Sequence, residues 1–331
     1  MKAKVLKDTL KELIKAKLPV FVWGSPGIGK SSIVKQIAKE ENLEFIDLRL
    51  SLLDPTDLKG IPFFDSSSKE AIWAEPEFLP KDKNSSGILF LDEINTAPPS
   101  VQAAAYQLIL DRKIGSYELP SNWAIIAAGN RASDRGVVYK MPSPLLNRFV
   151  HLELDVDFKN WKNWAYENSI NPLIIAFLEQ DNSKLFTFEP EEMQNAFATP
   201  RSWEYVDKIL KSKIDKKSLL ELLKGTIGDV AINFVNFIKI TNELPKIKDI
   251  LNGTNVDLPS SSQALFALNS FIVSHAKSAT KEQLENIIDF SFKLPKEFAI
   301  ALIRDMQQNK IEIEDLEKFE EWVEEFSYLL E

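Results

Sequence analysis

The sequence predicts an α/β fold in three layers, a parallel sheet covered by helices on both faces, followed by a wholly helical remainder. Three observations predict it. Short apolar strand patterns alternate with helical patterns through residue 154. The first of these strands runs into a glycine-rich turn and then a helix, and strand patterns stop beyond about residue 157.

The elements follow in order. Residues 3–16 carry Leu6, Leu10 and Ile14 at helical spacing. The run 18–24 is apolar, rich in β-branched and aromatic residues, and ends in glycine, as a buried strand does. Residues 31–41 return to helical spacing through Ile33, Ile37 and Ala38, and 43–50 are a second strand. Four prolines (Pro55, Pro62, Pro76, Pro80) make 51–80 irregular. Residues 87–93 form an apolar strand ending in two acids, and 98–111 a helix with prolines suited to its first turn. Residues 113–120 alternate about Gly115 as a short hairpin; 123–130 and 150–154 are strands, with a short helix at 142–149 between them. From 157 on, segments such as 201–210, 217–227, 231–240 and 296–307 have helical period. The expected domains are 1–156, an α/β nucleotide-binding domain; 157–214, a helical lid; and 215–331, a C-terminal helical extension. The polar, charged stretch at 212–216 suggests the second boundary.

Composition excludes several classes of function. The chain has no cysteine, so disulfides and thiolate metal sites are absent, and its two histidines, His151 and His275, lie far apart. The charged, amphipathic N-terminus does not read as a signal peptide and no apolar run reaches the length of a membrane span, so the cytoplasm is the expected compartment. A net charge of −9 counts against a nucleic-acid coat. Residues 311–331 hold nine acids against the single base Lys318, which is either a solvated helix face or a docking surface for a basic partner.

Gly24, Ser25, Pro26, Gly27, Ile28, Gly29, Lys30 and Ser31 fit the phosphate-binding loop G-x-x-x-x-G-K-[ST] in full, with a strand before and a helix after. The glycines let backbone N–H groups turn toward phosphate oxygens, and the helix N-terminus brings its positive dipole end to the same place. Lys30 can reach the β- and γ-phosphates of ATP, the hydroxyl of Ser31 can bind Mg²⁺, and Ser32 completes the expected nucleotide-binding set 24–32. Asp92 and Glu93 close the strand 87–93 at the end that faces the ligand crevice of a parallel sheet. Asp92 can hold Mg²⁺ through its water shell, and Glu93 can orient and deprotonate an attacking water; the pair could also be a solvated strand end. Asn130 ends the next strand, where a neutral amide can hold that water or serve a turn.

Taken together, residues 24–32, 47–62, 88–120, 123–131, 141–149 and 198–203 resemble the MoxR-type ATPases and their dynein-related relatives, in the helix-2-insert clade of the AAA+ superfamily of P-loop NTPases. The resemblance implies further roles. Asn130 takes the sensor 1 position. Arg148 takes the arginine-finger position, reaching the ATP of a neighbouring subunit, and Arg201 takes sensor 2, reaching ATP from the lid of its own subunit. Without the resemblance, Arg148 reads as a cation at a helix C-terminus and Arg201 as a salt-bridging surface residue. Residues 54–80 take the place of the helix-2 insert, where Phe63, Phe64 and Trp73 either contact a client or pack the loop onto its domain. Thr96 stands where the family commonly has arginine, and 215–331 carry no family motif. The resemblance implies Mg²⁺-dependent ATP hydrolysis in a ring of identical subunits, commonly a hexamer. The work expected is chaperone-like remodelling of a protein client, with a partner bearing a von Willebrand factor A domain. The alternatives are a nucleic-acid motor or loader of the same clade, a small-molecule kinase, or a nucleotide-gated scaffold with little turnover. Glu93 argues against the scaffold.

Overall fold

The computed structural model describes residues 1–326 except 68, 135–138, 192–193, 213 and 241–243. The chain divides into two compact units, Met1–Asp157 with Pro190–Glu192, and Phe158–Glu189 with Met193–Glu331.

The first unit begins with α1 (Ala3–Lys15), β1 (Val20–Trp23), α2 (Lys30–Glu40), β2 (Glu44–Arg49) and the one-turn helix α3 (Pro55–Lys59). It continues through β3 (Ile61–Asp65), β4 (Glu70–Ala74), β5 (Gly87–Asp92), α4 (Pro99–Asp111), β6 (Lys113–Ile114), β7 (Tyr117–Glu118), β8 (Trp123–Gly129), α5 (Ser143–Leu146) and β9 (Val150–Glu153). Five strands pair in parallel in the order β2-β5-β8-β1-β9. Strand order reverses at β1: the chain leaves it for the far edge, returns through β5 and β8, and then passes to its other side. A crevice opens at the carboxyl ends of the strands at such a reversal.

The inner strands β1, β5 and β8 read as apolar runs because both of their faces are covered. The alternation of side chains assigns neighbours to opposite faces. On one side Phe21, Leu89, Leu91, Ile125 and Ala127 pack with Val101, Ala104, Ala105 and Leu108 of α4. On the other, Val20, Val22, Ile88, Phe90, Ile126 and Ala128 pack with Leu6 and Leu10 of α1 and with Ile33, Val34 and Ile37 of α2. The three-layer arrangement follows from this division.

The segment 51–80 departs from the irregular reading. Asp54 begins α3 with a reciprocal capping box to Asp57, and β3 and β4 then form an antiparallel hairpin, Phe63 opposite Ile72 and Pro62 opposite Trp73. Gly60 makes the turn into it: its φ is +84°, and a Cβ there would lie 2.0 Å from the carbonyl oxygen of Ala74. Phe63, Phe64 and Trp73 are not packed away; they remain 51%, 69% and 37% exposed.

The second unit is helical: α6 (Phe158–Glu167), α7 (Pro172–Gln180), α8 (Pro200–Lys211), α9 (Leu219–Ile227), α10 (Val230–Ile240), α11 (Ile247–Leu251), α12 (Ser262–Ala276), α13 (Lys281–Ser291), α14 (Lys296–Gln308) and α15 (Glu317–Phe326). α12 is buried on nearly every side, through Leu265, Leu268, Ile272 and Val273 among others, and is the helix on which this unit is built. Of the acidic C-terminal stretch, Glu320, Glu321, Glu324 and Glu325 lie on α15, whereas Glu331 falls outside the described residues.

Candidate active site

β1 delivers the chain to Gly24 at the reversal point. A Cβ at Gly24 would come 2.6 Å from Cδ1 of Ile28 and 3.0 Å from the carbonyl oxygen of Leu154, so any larger residue there would have to displace its neighbours. Gly29 precedes α2 with φ +98°, ψ 19°, and no side chain caps the helix. The first N–H groups of α2 are thereby left to a ligand, at the positive end of the helix dipole. Lys30, the first residue of α2, folds back over the turn: Nζ donates to the carbonyl oxygens of Gly24 at 2.6 Å and Ser25 at 3.0 Å, and to Oδ1 of Asn130 at 3.1 Å. Ser31 is half-buried on the same turn of helix; Ser32 is exposed.

Two strands away, Asp92 ends β5 and Glu93 follows it. The carboxyl of Asp92 is pushed up from the usual aspartate range, chiefly by burial; the N–H of Glu93 and the charge of Lys30 pull it down, and the charges of Asp47 and Glu93 push it up. Oδ1 of Asp92 accepts from the N–H of Glu93 at 2.9 Å. Glu93 has φ +57°, left-handed backbone that a non-glycine residue adopts at a cost of about 1 kcal/mol. The turn is held by Thr96 and Ala97, whose N–H groups donate to the Glu93 carbonyl at 3.0 and 3.2 Å. The Glu93 carboxylate, through Oε2, accepts the hydroxyl of Ser51.

Asn130 follows β8, whose last residue, Gly129, is opposite Trp23 of β1. Nδ2 of Asn95 donates to the Asn130 carbonyl at 2.7 Å, which ties the acidic turn to the end of β8. The crevice thus brings together the phosphate loop, Lys30, Asp92 and Asn130. Arg148 lies just past α5, exposed, and among the described residues its guanidinium has neither a hydrogen bond nor an ion pair. Arg201 is exposed on the first turn of α8 in the second unit, where a Thr199–Ser202 capping box and Pro200 at the helix start explain the local sequence. Its charge acts on Glu204, whose carboxyl is raised chiefly by burial and lowered by Lys208 and Arg201.

Four residues of the crevice were missed in the sequence: Asp47, whose carboxyl burial pushes up, and Ser51, Asn95 and Asp134. Each is joined to the site by a partner distant in sequence. Asp47 lies within β2, the strand parallel to the one that ends in Asp92, and that was the one signal available.

An open helix N-terminus, a lysine over a glycine turn, and a buried carboxylate within reach of its charge together fit a magnesium-bound nucleoside triphosphate. They define the first unit as a P-loop nucleotide-binding domain. Residues 19–151 match the ATPase family associated with various cellular activities (AAA). Midasin from Giardia intestinalis is 27% identical over 45% of this chain and 3% of its own length. The chaperone MoxR1 from Mycobacterium tuberculosis is 28% identical over 40% of this chain and 34% of its own. This chain therefore spans about a third or less of these two relatives. Among solved structures, the RuvB Holliday junction branch migration motor of Thermotoga maritima is 20% identical, with 85% of each chain covered and a TM-score of 0.38. Over the matched part the chain is similar to MoxR-type AAA+ ATPases. No helix among the described residues is long and apolar enough to cross a membrane.

Proposed function

We propose that the chain binds ATP with Mg²⁺, hydrolyses it to ADP and phosphate, and uses the cycle, as a ring of identical subunits, to remodel a protein client. The observation that carries this reading is the meeting of Lys30, the open start of α2 and Asn130 within hydrogen-bond reach, beside the acidic end of β5. The N–H groups of residues 27–31 grip the phosphates, and Lys30 leaves the loop carbonyls to pair with the β- and γ-phosphates. A magnesium ion held by Ser31 and Asp92 supplies charge neutralisation along the phosphates. Glu93, set off the strand by its left-handed backbone, takes the proton of the attacking water, and Asn130 orients that water without adding charge.

Residues 157–214 are read as the lid, which supplies Arg201 to the bound nucleotide, and 215–331 as its helical extension. Arg148 serves the neighbouring subunit; its exposure, and its having no partner among the described residues, support this, because a finger must reach outward. The exposed Phe63, Phe64 and Trp73 of the β3–β4 hairpin are read as the client-facing surface. A hexamer and a partner bearing a von Willebrand factor A domain remain part of this proposal, supported by the MoxR-type match alone.

The experiment is phosphate release with ATP and Mg²⁺ by the parent chain and by Glu93→Gln. The variant keeps nucleotide affinity and loses turnover by at least about a hundredfold, the scale of a missing general base. Equal turnover by the two would defeat the assignment.

A further inference from the structure

Ser25, the second residue of the phosphate loop, is buried and does not point its side chain at the ligand. Its hydroxyl donates to Oδ1 of Asp134 at 3.0 Å, between two residues that are 6% and 9% exposed. The other oxygen, Oδ2, accepts the N–H of Arg131 at 3.0 Å. Asp134 ends the short turn that follows Asn130, and its own N–H donates to the carbonyl of Arg131 at 3.0 Å. Nothing in the sequence or in the roles assigned above uses this carboxylate. Both of its oxygens accept a hydrogen bond in this buried place beside the phosphate loop, one from Ser25 and one from Arg131, so it joins two segments that are distant in sequence.

The neighbourhood gives that joint its function. The N–H of Gly24 donates to the Gly129 carbonyl at 3.3 Å, and Lys30 reaches Oδ1 of Asn130. These contacts hold the first residue of the loop and its lysine against the end of β8. The stretch between, whose carbonyls Lys30 must release when it turns to phosphate, is held by the Ser25–Asp134 bond. On its far side the 129–134 segment is fixed by Arg131, whose Nη2 donates to the Leu154 carbonyl at 3.1 Å and to Oδ1 of Asp155 at 2.5 Å. That Leu154 carbonyl is the one that confines Gly24.

We propose that Asp134 is a positioning residue that pins the phosphate loop, through Ser25, to the turn carrying Asn130, so that the loop keeps its nucleotide-gripping form when Lys30 departs. The proposal deepens the ATPase reading and rests on it. It assigns to Asp134 a role in affinity, exerted equally before and during the reaction. Loss of the pin therefore raises KM more than it lowers kcat.

The test is a double-mutant cycle on the full chain, read by calorimetry with ADP and Mg²⁺ and by the kcat and KM of phosphate release. Ser25→Ala and Asp134→Ala each weaken ADP binding about tenfold, the scale of one hydrogen bond to a charged acceptor, and the double variant is no weaker than either. Asp134→Asn restores part of the affinity, since its amide can accept from Arg131 N–H and donate to the Ser25 oxygen. Without nucleotide, amide exchange at Arg131 quickens in Asp134→Ala and not in Ser25→Ala.

Parental affinity in either alanine variant, or independent losses that multiply to about a hundredfold in the double variant, would overturn the proposal while the parent still binds and hydrolyses ATP. If Asp134→Ala does not fold, Ser25→Ala and Asp134→Asn decide alone: an unweakened Ser25→Ala overturns it. A parent that binds no nucleotide overturns the ATPase reading and this proposal with it.

Discussion

Lys30 and Asn130 meet at 3.1 Å, and the character of that contact sets how the site answers to substitution. The amide of Asn130 gives Lys30 a neutral acceptor, which the lysine can leave when phosphate arrives. A carboxylate in its place would add an ion pair that holds Lys30 back from phosphate and would repel the γ-phosphate. Asn130→Asp is therefore expected to weaken binding of ATP with Mg²⁺ by more than about tenfold, while Asn130→Ala weakens it less and acts mainly on turnover. Equal affinities in the two variants, measured by titration calorimetry, would refute this account of the contact. At this scale the sequence shows the residues of the loop, Asp92, Glu93 and Asn130, because each sits at the end of a strand that its apolar run makes visible. It does not show Ser51 on Glu93, or Asp134 on Ser25, because those bonds join segments that approach one another only through the sheet order.

At the scale of elements, the inner strands β1, β5 and β8 are legible because burial on both faces removes polar residues from them. The β3–β4 hairpin is not: its two faces are both exposed and both apolar, so no alternation marks it, and Pro62 in β3 reads as a break. The second unit hides another feature. Lys162 of α6 lies 2.5 Å from both Oε1 of Glu179 on α7 and Oδ2 of Asp305 on α14, all three largely buried. Burial pushes the Asp305 carboxyl up to about 6, with Glu179 adding to the rise and Lys162 opposing it.

A carboxyl whose folded pKa exceeds its unfolded value of 3.8 binds its proton more tightly when folded. Its contribution to stability is then full below about pH 4 and declines as pH rises toward about 6. Asp305→Asn is expected to remove that decline, seen by comparing thermal unfolding of the two chains between about pH 4 and 7. Parallel pH profiles for parent and variant would show that Asp305 does not carry it.

At the scale of the whole molecule, the fold class was legible because alternation of strand and helix, the glycine turn and the later loss of strands are global features. Assembly is a different matter, since Arg148 declares itself only by resemblance and by its exposed guanidinium, unpaired among the described residues. If it completes a neighbour's site, Arg148→Ala and Lys30→Ala are each nearly inactive, yet a mixture recovers turnover wherever a subunit with Lys30 meets a neighbour with Arg148. Chains that co-assemble on a sizing column and recover nothing at any ratio would place Arg148 outside the reaction.

All of these expectations depend on nucleotide being gripped by the turn before α2. Calorimetric titration of the folded chain with ATP and Mg²⁺, beside Lys30→Ala, tests that directly. The account predicts saturable heat at one site per chain for the parent, and affinity lower by at least about tenfold for the variant, whose phosphates lose a charge-assisted partner. Absence of saturable heat for the parent at millimolar ATP, or equal binding by Lys30→Ala, would contradict it.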